Sequence, residues 1–242
     1  MKKDDKVLVV IPAYNEEKNI EKVINDVKKN IKFADILIIN DKSKDNTLNI
    51  IKKCDVNYVD NVFNLKYALS IQTGIKYAKE NDYDYVIQMD ADGQHLAIEA
   101  EKLYQTAKKE KSDIVIGSRY LVDLGYPCPF FRRVGTKAFE ILIRLFCHKK
   151  IVDPLSGFQC INKRVIDRYS KLGGYPEFPD ANLVIDMLLS GYTIKEVPTK
   201  MKVRTDGESM HSGIIKPIKY MCVMFYTCII VLIKNIGKRK EN

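Results

Sequence analysis

Residues 85–95 read YVIQMDADGQH. The run from Tyr85 to Met89 is rich in β-branched and aromatic side chains, which is typical of a buried strand. Asp90 and Asp92 follow at the point where such a strand should end. The two carboxylates are therefore predicted to lie at the rim of a sheet and not in its core.

The composition is that of an ordinary globular protein. The chain has 242 residues, of which 46% are hydrophobic, and this suits one large α/β domain or two small ones. The formal charge of +9 is spread over the N-terminus, the predicted helix faces and a basic tail, so no single stretch forms a nucleic-acid footprint. An anionic small substrate or a lipid headgroup fits this charge equally well.

The cysteine pattern bears on the cellular compartment. Six cysteines lack the CxxC spacing of metal or redox motifs. The first residues, MKKDD, lead only into the short apolar run VLVVIP, which does not resemble a secretory signal. We expect free thiols and a cytoplasmic protein.

Strands and helices alternate regularly through the first half of the chain. The predicted strands are KVLVVIP, ADILIIN, VNYVD, YDYVIQMD and SDIVIGS, and the predicted helices are EEKNIEKVINDVKKN, DNTLNIIKKC, KYALSIQTGIKYAKEN and AIEAEKLYQTAKKE. This alternation predicts a Rossmann-like α/β fold with a mostly parallel central sheet flanked by helices. Since ligands of such sheets bind at the carboxyl ends of the strands, we expect AYNEE, NDKSKDNT, DADGQH and GSRY to line one crevice.

The second half of the chain is less regular and has too few elements for a core of its own. It contains the predicted helices TKAFEILIRLFCH and ANLVIDMLLSG and the predicted strand YTIKEVPTKM, separated by loops rich in Pro and Gly. We expect residues 1–212 to form a single domain, in which residues 120–212 pack on the sheet built by residues 1–119.

Residues 213–242 form a distinct C-terminal segment with a basic tail. The run Tyr220–Ile233 has no charge, but its length of about 14 residues is below the about 20 that a helix needs to cross a bilayer. Lysines and an arginine flank it and could engage anionic headgroups. We expect a helix that lies on a membrane; packing on the domain or on a partner subunit is the alternative.

Asp90 and Asp92 can reach a common point from an irregular turn, and they offer the hard oxygen ligands that Mg²⁺ or Mn²⁺ prefers. Two acids do not hold Mg²⁺ tightly, so the other ligands would be water and phosphate oxygens of a diphosphate substrate. A lone Asp-x-Asp is more often a solvated turn. A calcium loop is excluded because the glycine of DADGQH stands fourth and not sixth.

Four segments in this order resemble glycosyltransferase family 2, the inverting transferases of the GT-A fold. They are VVIPAYNEE, IINDKSKDNT, NLKYALSIQTG and MDADGQH, and the resemblance extends from about Val9 to Ser209. The later segments GSRY, DPLSGF and VRTDGES are similar to the branch that includes polyprenyl-phosphate sugar synthases and cell-wall or capsule transferases. The resemblance implies that residues 1–119 bind a nucleotide sugar and residues 120–212 bind the acceptor.

The resemblance assigns the nucleotide base to the first two loops. Pro12, Tyr14 and Glu16 of PAYNEE would frame the base, and Asp41 would accept a hydrogen bond from the imide of the base. Asn40 stands where relatives usually carry an aspartate, and it keeps an acceptor oxygen.

Asp90 and Asp92 would take the ribose and the metal, with Asp92 as the direct catalytic ligand to the ion that bridges the diphosphate. Lys66 and Ala68 stand where relatives usually carry glycines. Lys66 could reach a phosphate or close off part of the site, so the choice of nucleotide sugar depends on it.

The resemblance places the general base ahead of the helix ANLVIDMLLSG. Asp180 aligns with that position, and Glu177 is the rival three residues away. Asp180 also directly precedes the helix, so it can serve as its N-cap. If the acceptor is a phosphate, its oxygen is already anionic and a base matters less.

Two arginines and two histidines complete the expected site. Arg119 and Arg204 could stabilise the leaving diphosphate or an acceptor phosphate, although loop arginines are more often merely solvated. His95 is close enough to the paired acids to contact a sugar diphosphate, and His211 could swing over the site on a loop.

We therefore expect a metal-dependent inverting glycosyltransferase at the inner face of the membrane. Its donor would be a UDP-sugar, with GDP-mannose as the alternative, and its acceptor a polyprenyl phosphate or another lipid-linked or cell-surface glycan. Nucleic acid is not expected as a partner, whereas a second copy or a membrane protein is open. The other functional classes are a nucleotidyltransferase of similar fold and a non-catalytic scaffold that recruits a membrane partner. The segment PAYNEE opposes the former because it replaces a glycine-rich phosphate loop.

Overall fold

A seven-stranded sheet forms the centre of the protein in the computed structural model. The structure describes residues 5–127, 130–171, 173, 175–203 and 215–239. The strands are β1 (Val7–Ala13), β2 (Ala34–Asn40), β3 (Asn57–Asp60), β4 (Tyr85–Gln88), β5 (Ile114–Ser118), β6 (Gln159–Asn162) and β7 (Ile194–Pro198). The helices are α1 (Ile20–Asn30), α2 (Thr47–Lys53), α3 (Lys66–Glu80), α4 (Ala97–Glu110), α5 (Phe130–Cys147), α6 (Lys163–Ser170), α7 (Ala181–Leu189) and α8 (Ile215–Arg239).

The strands lie in the order β3-β2-β1-β4-β6-β5-β7, and all except β6 run in the same direction. β6 is antiparallel to both β4 and β5, so these two neighbours of β6 are parallel to each other. The predicted mostly parallel sheet is confirmed. The carboxyl ends of β1, β2, β4 and β5 therefore meet at one edge of the sheet.

β6 is the strand that the sequence pattern does not predict. Its four residues, QCIN, are too few for an alternating pattern to be recognised. The loop ahead of β6 is tied to β5, since the amide of Gly117 donates to the carbonyl oxygen of Phe158 at 2.8 Å. The second half of the chain thus adds to the sheet of the first half, as expected.

Helices cover both faces of the sheet. As a result β1 is buried along its whole length, and its side chains alternate between two apolar layers. Leu8 and Val10 join the layer that contains α3, α5, α6, α7 and α8. Val9 and Ile11 join the layer that contains α1, α2 and α4.

Three helices begin at residues other than the predicted ones, and the shift is small for α2, which begins at Thr47 and not at Asp45. α1 begins at Ile20 and not at Glu16, because the carbonyl oxygen of Glu16 accepts hydrogen bonds from the amides of Asn19 and Ile20 and forms a turn. α5 begins at Phe130 and not at Thr136.

α8 is longer than the apolar run that the sequence indicates, and it packs on the domain with one side. Met224, Cys228 and Leu232, spaced by four residues, are buried in the same layer as α7. Seven apolar side chains in the described part of α8 are exposed: Ile218, Cys222, Phe225, Tyr226, Ile229, Ile230 and Ile233. The window Ile218–Asn235 has a mean hydropathy of 1.5 and is 22% buried, so by length and composition it could cross a membrane. One side of α8 thus packs on the domain, and the other side exposes apolar side chains that a membrane could cover.

Gly74 sits where α3 crosses β1, and its replacement by alanine tests this packing. A Cβ at position 74 would lie 2.3 Å from Cγ1 of Val10, and overpacking a core site costs about 1–3 kcal/mol. Helix propensity favours alanine by about 1 kcal/mol at most, so Gly74→Ala should lower the free energy of unfolding in urea denaturation. Gly173→Ala is the control, because nothing lies within 4 Å of that Cβ. Equal stability of the two variants would contradict the close approach of α3.

Candidate active site

The loops after β1, β2 and β4 are held side by side at the carboxyl edge of the sheet. The amide of Asp41 donates to the carbonyl oxygen of Ala13 at 2.9 Å, and the amide of Met89 donates to that of Val10 at 3.0 Å. These bonds continue the strand pairing into the loops. The polar segments that follow the strands therefore lie next to one another.

Asp41 anchors the loop that follows β3. Its side chain is buried, and Oδ1 accepts hydrogen bonds from the amide of Leu65 at 2.7 Å and from Nδ2 of Asn61 at 3.0 Å. Its carbonyl oxygen accepts a further bond from Nδ2 of Asn64 at 3.1 Å. The resemblance assigns the Asp41 carboxylate to a nucleotide base. The same carboxylate also fixes the loop after β3, and it uses only Oδ1 to do so.

The three residues assigned to frame the base differ in exposure. Pro12 is buried at the end of β1, and Glu16 is buried with Oε2 accepting from Nδ2 of Asn19 at 2.8 Å. The amide of Glu16 donates to Oγ1 of Thr47 at 2.9 Å. Tyr14 is 41% exposed and is the one of the three that offers an aromatic ring to a ligand.

Asn40 and Lys66 stand at the positions where the resemblance leads us to expect an aspartate and a glycine. Nδ2 of Asn40 donates to Oδ1 of Asp60 at 2.6 Å, and Oδ1 of Asn40 is buried without a hydrogen-bond partner among the described residues. Lys66 adopts a φ of 64°, in the left-handed region that favours glycine. Its Nζ lies 3.4 Å from Oε1 of Glu177, so the side chain bridges to the loop before α7.

Asp90 and Asp92 lie in the turn that follows β4. The amide of Asp90 donates to Nδ1 of His95 at 3.0 Å, and the amide of Gln94 donates to Oδ1 of Asp92 at 3.0 Å. The hydroxyl of Tyr67, on α3, forms a hydrogen bond with the Asp90 carboxylate and has its pKa raised by burial and by that contact. The turn is therefore fixed from both of its ends.

His95 supports this turn from inside the protein. It is 7% exposed, and its ring stacks on Phe158 with the centroids 4.7 Å apart. Desolvation lowers the pKa of His95 to about 4, so Nδ1 is free to accept the Asp90 amide at neutral pH. His95 thus has a structural role in this turn, and its contact with a sugar diphosphate stays a prediction.

The oxygen atoms of Asp90 and Asp92 fit a hard divalent cation. Within the part of the chain that the structure describes, no group of three or more His, Cys, Asp and Glu side chains could hold a metal ion. Two protein carboxylates, completed by water and substrate phosphate, are the donor set that the sequence predicts. Gly157 leaves room beside it, since a Cβ there would lie 2.7 Å from the Tyr67 hydroxyl.

Arg119 forms a bidentate ion pair that the sequence does not predict. Its Nε and Nη2 donate to Oδ2 and Oδ1 of Asp153 at 2.8 and 2.7 Å, and the Asp153 side chain is fully buried. The carboxylate of Glu196 in turn accepts hydrogen bonds from the amides of Val152 and Asp153 at 2.7 and 2.8 Å. The charge of Arg119 is therefore balanced inside the protein, and a diphosphate would share it with Asp153.

Asp180 occupies the N-cap position of α7, but its carboxylate makes no capping hydrogen bond. Oδ2 accepts a hydrogen bond from the hydroxyl of Tyr220 at 2.7 Å. Desolvation raises the pKa of Asp180 to about 6, although the Tyr220 hydroxyl and the charge of Arg119 act against it. A carboxylate that titrates near neutral pH has the property that a general base needs.

The structure adds Tyr67, Asp153 and Tyr220 to the predicted site residues. Asp153 belongs to the segment DPLSGF, where an acid between apolar residues was a signal for a buried charge. Tyr220 opens the apolar run of α8, and nothing local distinguishes it from the other tyrosines. Arg204 and His211 lie outside the described residues.

Several known proteins are similar to this chain in sequence. The sequence model of the family described as "Glycosyl transferase family 2" matches residues 8–169. A UDP-N-acetylglucosamine–dolichyl-phosphate N-acetylglucosaminyltransferase of Methanococcus voltae is 28% identical over 218 residues, covering 81% of this chain and 86% of that protein. A dolichol-phosphate mannosyltransferase of Pyrococcus furiosus is 30% identical over 218 residues, covering 86% of this chain and 60% of that protein.

A solved structure shows the same fold at low sequence identity. Glucosyl-3-phosphoglycerate synthase from Mycobacterium tuberculosis, in complex with Mn²⁺, uridine diphosphate and phosphoglyceric acid, superposes with a TM-score of 0.68 at 16% identity. The match covers 96% of this chain and 79% of that one. The expected GT-A architecture is confirmed.

The raised pKa of Asp180 predicts that this side chain destabilises the protein at neutral pH. A carboxyl whose pKa is about 6 when folded and about 3.9 when unfolded contributes stability below pH 4 and loses that contribution as the pH rises through 6. Asp180→Asn should therefore raise the free energy of unfolding by about 1–3 kcal/mol at pH 8, and by much less at pH 4. Urea denaturation at both pH values measures the difference. A variant that is less stable than the wild type at pH 8 would contradict the raised pKa of Asp180.

Proposed function

The chain belongs to glycosyltransferase family 2, and from that premise we propose that it transfers a sugar from a nucleotide-diphosphate sugar to a polyprenyl phosphate with inversion at the anomeric carbon. The observation that carries this proposal is the position of three carboxylates. Asp90 and Asp92 follow β4 at the carboxyl edge of the sheet, and the charge of Asp90 acts on Asp180 ahead of α7. A metal-binding pair beside a carboxylate of raised pKa suits a transferase and not a scaffold.

We propose that the donor carries uridine diphosphate. The Methanococcus voltae relative uses a UDP-sugar by its name, and the fold neighbour is in complex with uridine diphosphate. Because another relative is a mannosyltransferase, GDP-mannose is the alternative donor. The exposed ring of Tyr14 and the Asp41 carboxylate are the groups placed to hold the base.

Mg²⁺ or Mn²⁺ would be held by Asp92 and Asp90, and when bound it would neutralise charge on the diphosphate. The fold neighbour is in complex with Mn²⁺, which supports a divalent metal. Around this site, Tyr67 and His95 hold the turn in place. Arg119 lies on the same side and shares its charge with Asp153.

Asp180 is proposed as the general base. Its carboxylate would take the proton from a phosphate oxygen of the acceptor as that oxygen forms a bond to the anomeric carbon. The bond from the anomeric carbon to the donor diphosphate breaks, and its electron pair leaves with the nucleoside diphosphate. Because a phosphate monoester loses its second proton near pH 6, the base matters most near that pH, where part of the acceptor still carries the proton and part of Asp180 is ionised.

The exposed side of α8 supports a lipid acceptor and a peripheral position at the inner face of the membrane. Its outward isoleucines and aromatic side chains form an apolar surface flanked by Lys219 and Lys234. Burying such a side chain is worth about 1.5–3 kcal/mol, and a lysine near an anionic leaflet adds roughly 1 kcal/mol. The enzyme would thus work where its long-chain acceptor is dissolved.

The metal assignment is tested with Asp92→Ala. The purified protein, incubated with UDP-N-acetylglucosamine or GDP-mannose, a short polyprenyl phosphate and Mn²⁺, should release nucleoside diphosphate and form the glycolipid. Asp92→Ala should lower this rate by at least about a thousandfold, because charge stabilisation at the diphosphate is lost. Glu101→Ala is the control, because Glu101 is an exposed acid on α4 that belongs to none of the predicted site segments. Near-normal turnover of Asp92→Ala at saturating Mn²⁺ would refute the assignment, and no release with any donor would refute the proposed function.

The membrane surface of α8 is tested without disturbing its packed side. Ile229→Gln combined with Ile233→Gln should weaken binding to anionic liposomes by at least about tenfold in sedimentation, because two outward apolar side chains are lost. Ile98→Gln is the matched control, since Ile98 is 68% exposed on α4. Unchanged binding of the double variant would mean that α8 does not contact the lipid.

A further inference from the structure

α8 is attached to the domain by side chains of α7 and of the loop that precedes it. Nδ2 of Asn182 donates to Oγ1 of Thr227 at 3.1 Å, and Nδ2 of Asn235 donates to Oδ1 of Asp186 at 3.3 Å. The buried stripe that contains Cys228 fills the space between these two contacts. α8 is thus fixed to α7 along several turns, independently of any contact at the active site.

The N-terminal part of α8 reaches the active site itself. The hydroxyl of Tyr220 donates to Oδ2 of Asp180 at 2.7 Å, across 40 residues of chain. The Tyr220 ring packs edge-on against Phe178, with the centroids 4.9 Å apart and the planes at 80°. This aromatic contact restricts the ring, so the direction of the hydroxyl is set by packing and not by the hydrogen bond alone.

The Asp180 carboxylate does not cap α7, and Oδ1 of Asn182 accepts the amides of Asp180 and Leu183 at this helix start, at 3.1 and 2.8 Å. In the N-cap position a carboxylate normally accepts a backbone amide of the first turn, and here it accepts the tyrosine hydroxyl instead. Oδ1 of Asp180 accepts no hydrogen bond from any residue that the structure describes, so it has a lone pair available. One oxygen is held and the other is left for a substrate proton.

We propose that Tyr220 is a positioning residue for Asp180, through which docking of the C-terminal helix on the domain sets the geometry of the general base. The proposal rests on the proposed function, since it assigns Asp180 the role of base. It connects the helix that faces the lipid with the group that acts on the acceptor. An acceptor bound at the lipid surface would therefore meet a base already held by α8.

Several ionisable groups surround Asp180 and enter any interpretation of its pH dependence. They are Tyr220 and Cys228 on α8, Arg119 after β5, Asp90 after β4, Asp153 before β6, Tyr67 on α3 and Tyr175 ahead of α7. The hydroxyl of Tyr220 and the charge of Arg119 favour the carboxylate form, whereas Asp90 and Asp153 oppose it. Removing the Tyr220 hydroxyl alone should therefore raise the pKa of Asp180.

Tyr220→Phe removes the hydroxyl and keeps the ring against Phe178. We expect the kcat of transfer to fall by about tenfold, with the KM for the nucleotide sugar unchanged, because a hydrogen bond to a charged group is lost at the base and not at the donor site. The acid limb of the kcat–pH profile should move upward by about 1 on the pH scale. Thr227→Val is the matched control, since it removes a contact between α8 and α7 that does not touch Asp180.

Docking of α8 is followed separately by thiol labelling. Cys228 is buried on the packed side of α8 and Cys222 is exposed on the same helix, so slow labelling of Cys228 reports a docked helix. Tyr220→Phe should keep Cys228 protected while kcat falls. Unchanged kcat and acid limb in Tyr220→Phe, or an equal loss in Thr227→Val, would overturn the proposal.

A measurement without turnover separates this proposal from the proposed function. The carboxyl carbon of Asp180, assigned by its absence in Asp180→Asn, can be titrated by NMR in the wild type and in Tyr220→Phe. A higher pKa in Tyr220→Phe supports the positioning contact even if no donor is turned over, and an equal pKa overturns it. Full transfer activity of Asp180→Asn at pH 6 would instead refute Asp180 as the base.

Discussion

The antiparallel strand β6 is the element on which the site depends, because it fills the space between β4 and β5. The loop that leads into it brings Asp153 to Arg119 and Gly157 to Tyr67. Oγ of Ser156 donates to the carbonyl oxygen of Gly117 at 2.6 Å, which ties the same loop to β5. The metal-binding turn after β4 and the arginine after β5 are therefore positioned by one segment that reaches both.

The buried charges show how the fold sets the chemistry. Asp153 lies out of contact with water, and it is tolerated because a bidentate arginine balances its charge. Asp180 has no such dedicated partner, so its pKa rises and its carboxylate is stabilised by one tyrosine hydroxyl. The protein thus pairs one buried aspartate with an arginine and leaves another with a raised pKa, and the difference lies in the partners and not in the residue type.

The features that depend on local pattern were predictable from the sequence. The alternation of strands and helices predicts the parallel sheet, and the acids after YVIQM are found in the turn after β4 as expected. What the sequence could not predict depends on distant contacts. β6 is too short to carry a period, Asp153 needed its partner Arg119 to be recognised, and Tyr220 reaches Asp180 from another helix.

The structure shows which way the side chains of α8 and His95 point, and the sequence did not. α8 was expected either on a membrane or on the domain, and the structure shows a helix that packs on one side and exposes apolar side chains on the other. His95 was expected near a sugar diphosphate, and its ring is buried and accepts the Asp90 amide. A linear pattern indicates which residues lie near a site, whereas the direction of each side chain is set by packing.

The order of strands in the sheet has a consequence for synthesis of the chain. β4 and β5 are made before β6, yet each pairs with β6 and not with the other. Until about 40 more residues have followed β5, both strands keep an unpaired edge, which at ribosomal rates lasts roughly 2–8 s. Unpaired edges of apolar strands accept foreign strands. The nascent protein is therefore most exposed to aggregation just before the segment that completes its active site arrives.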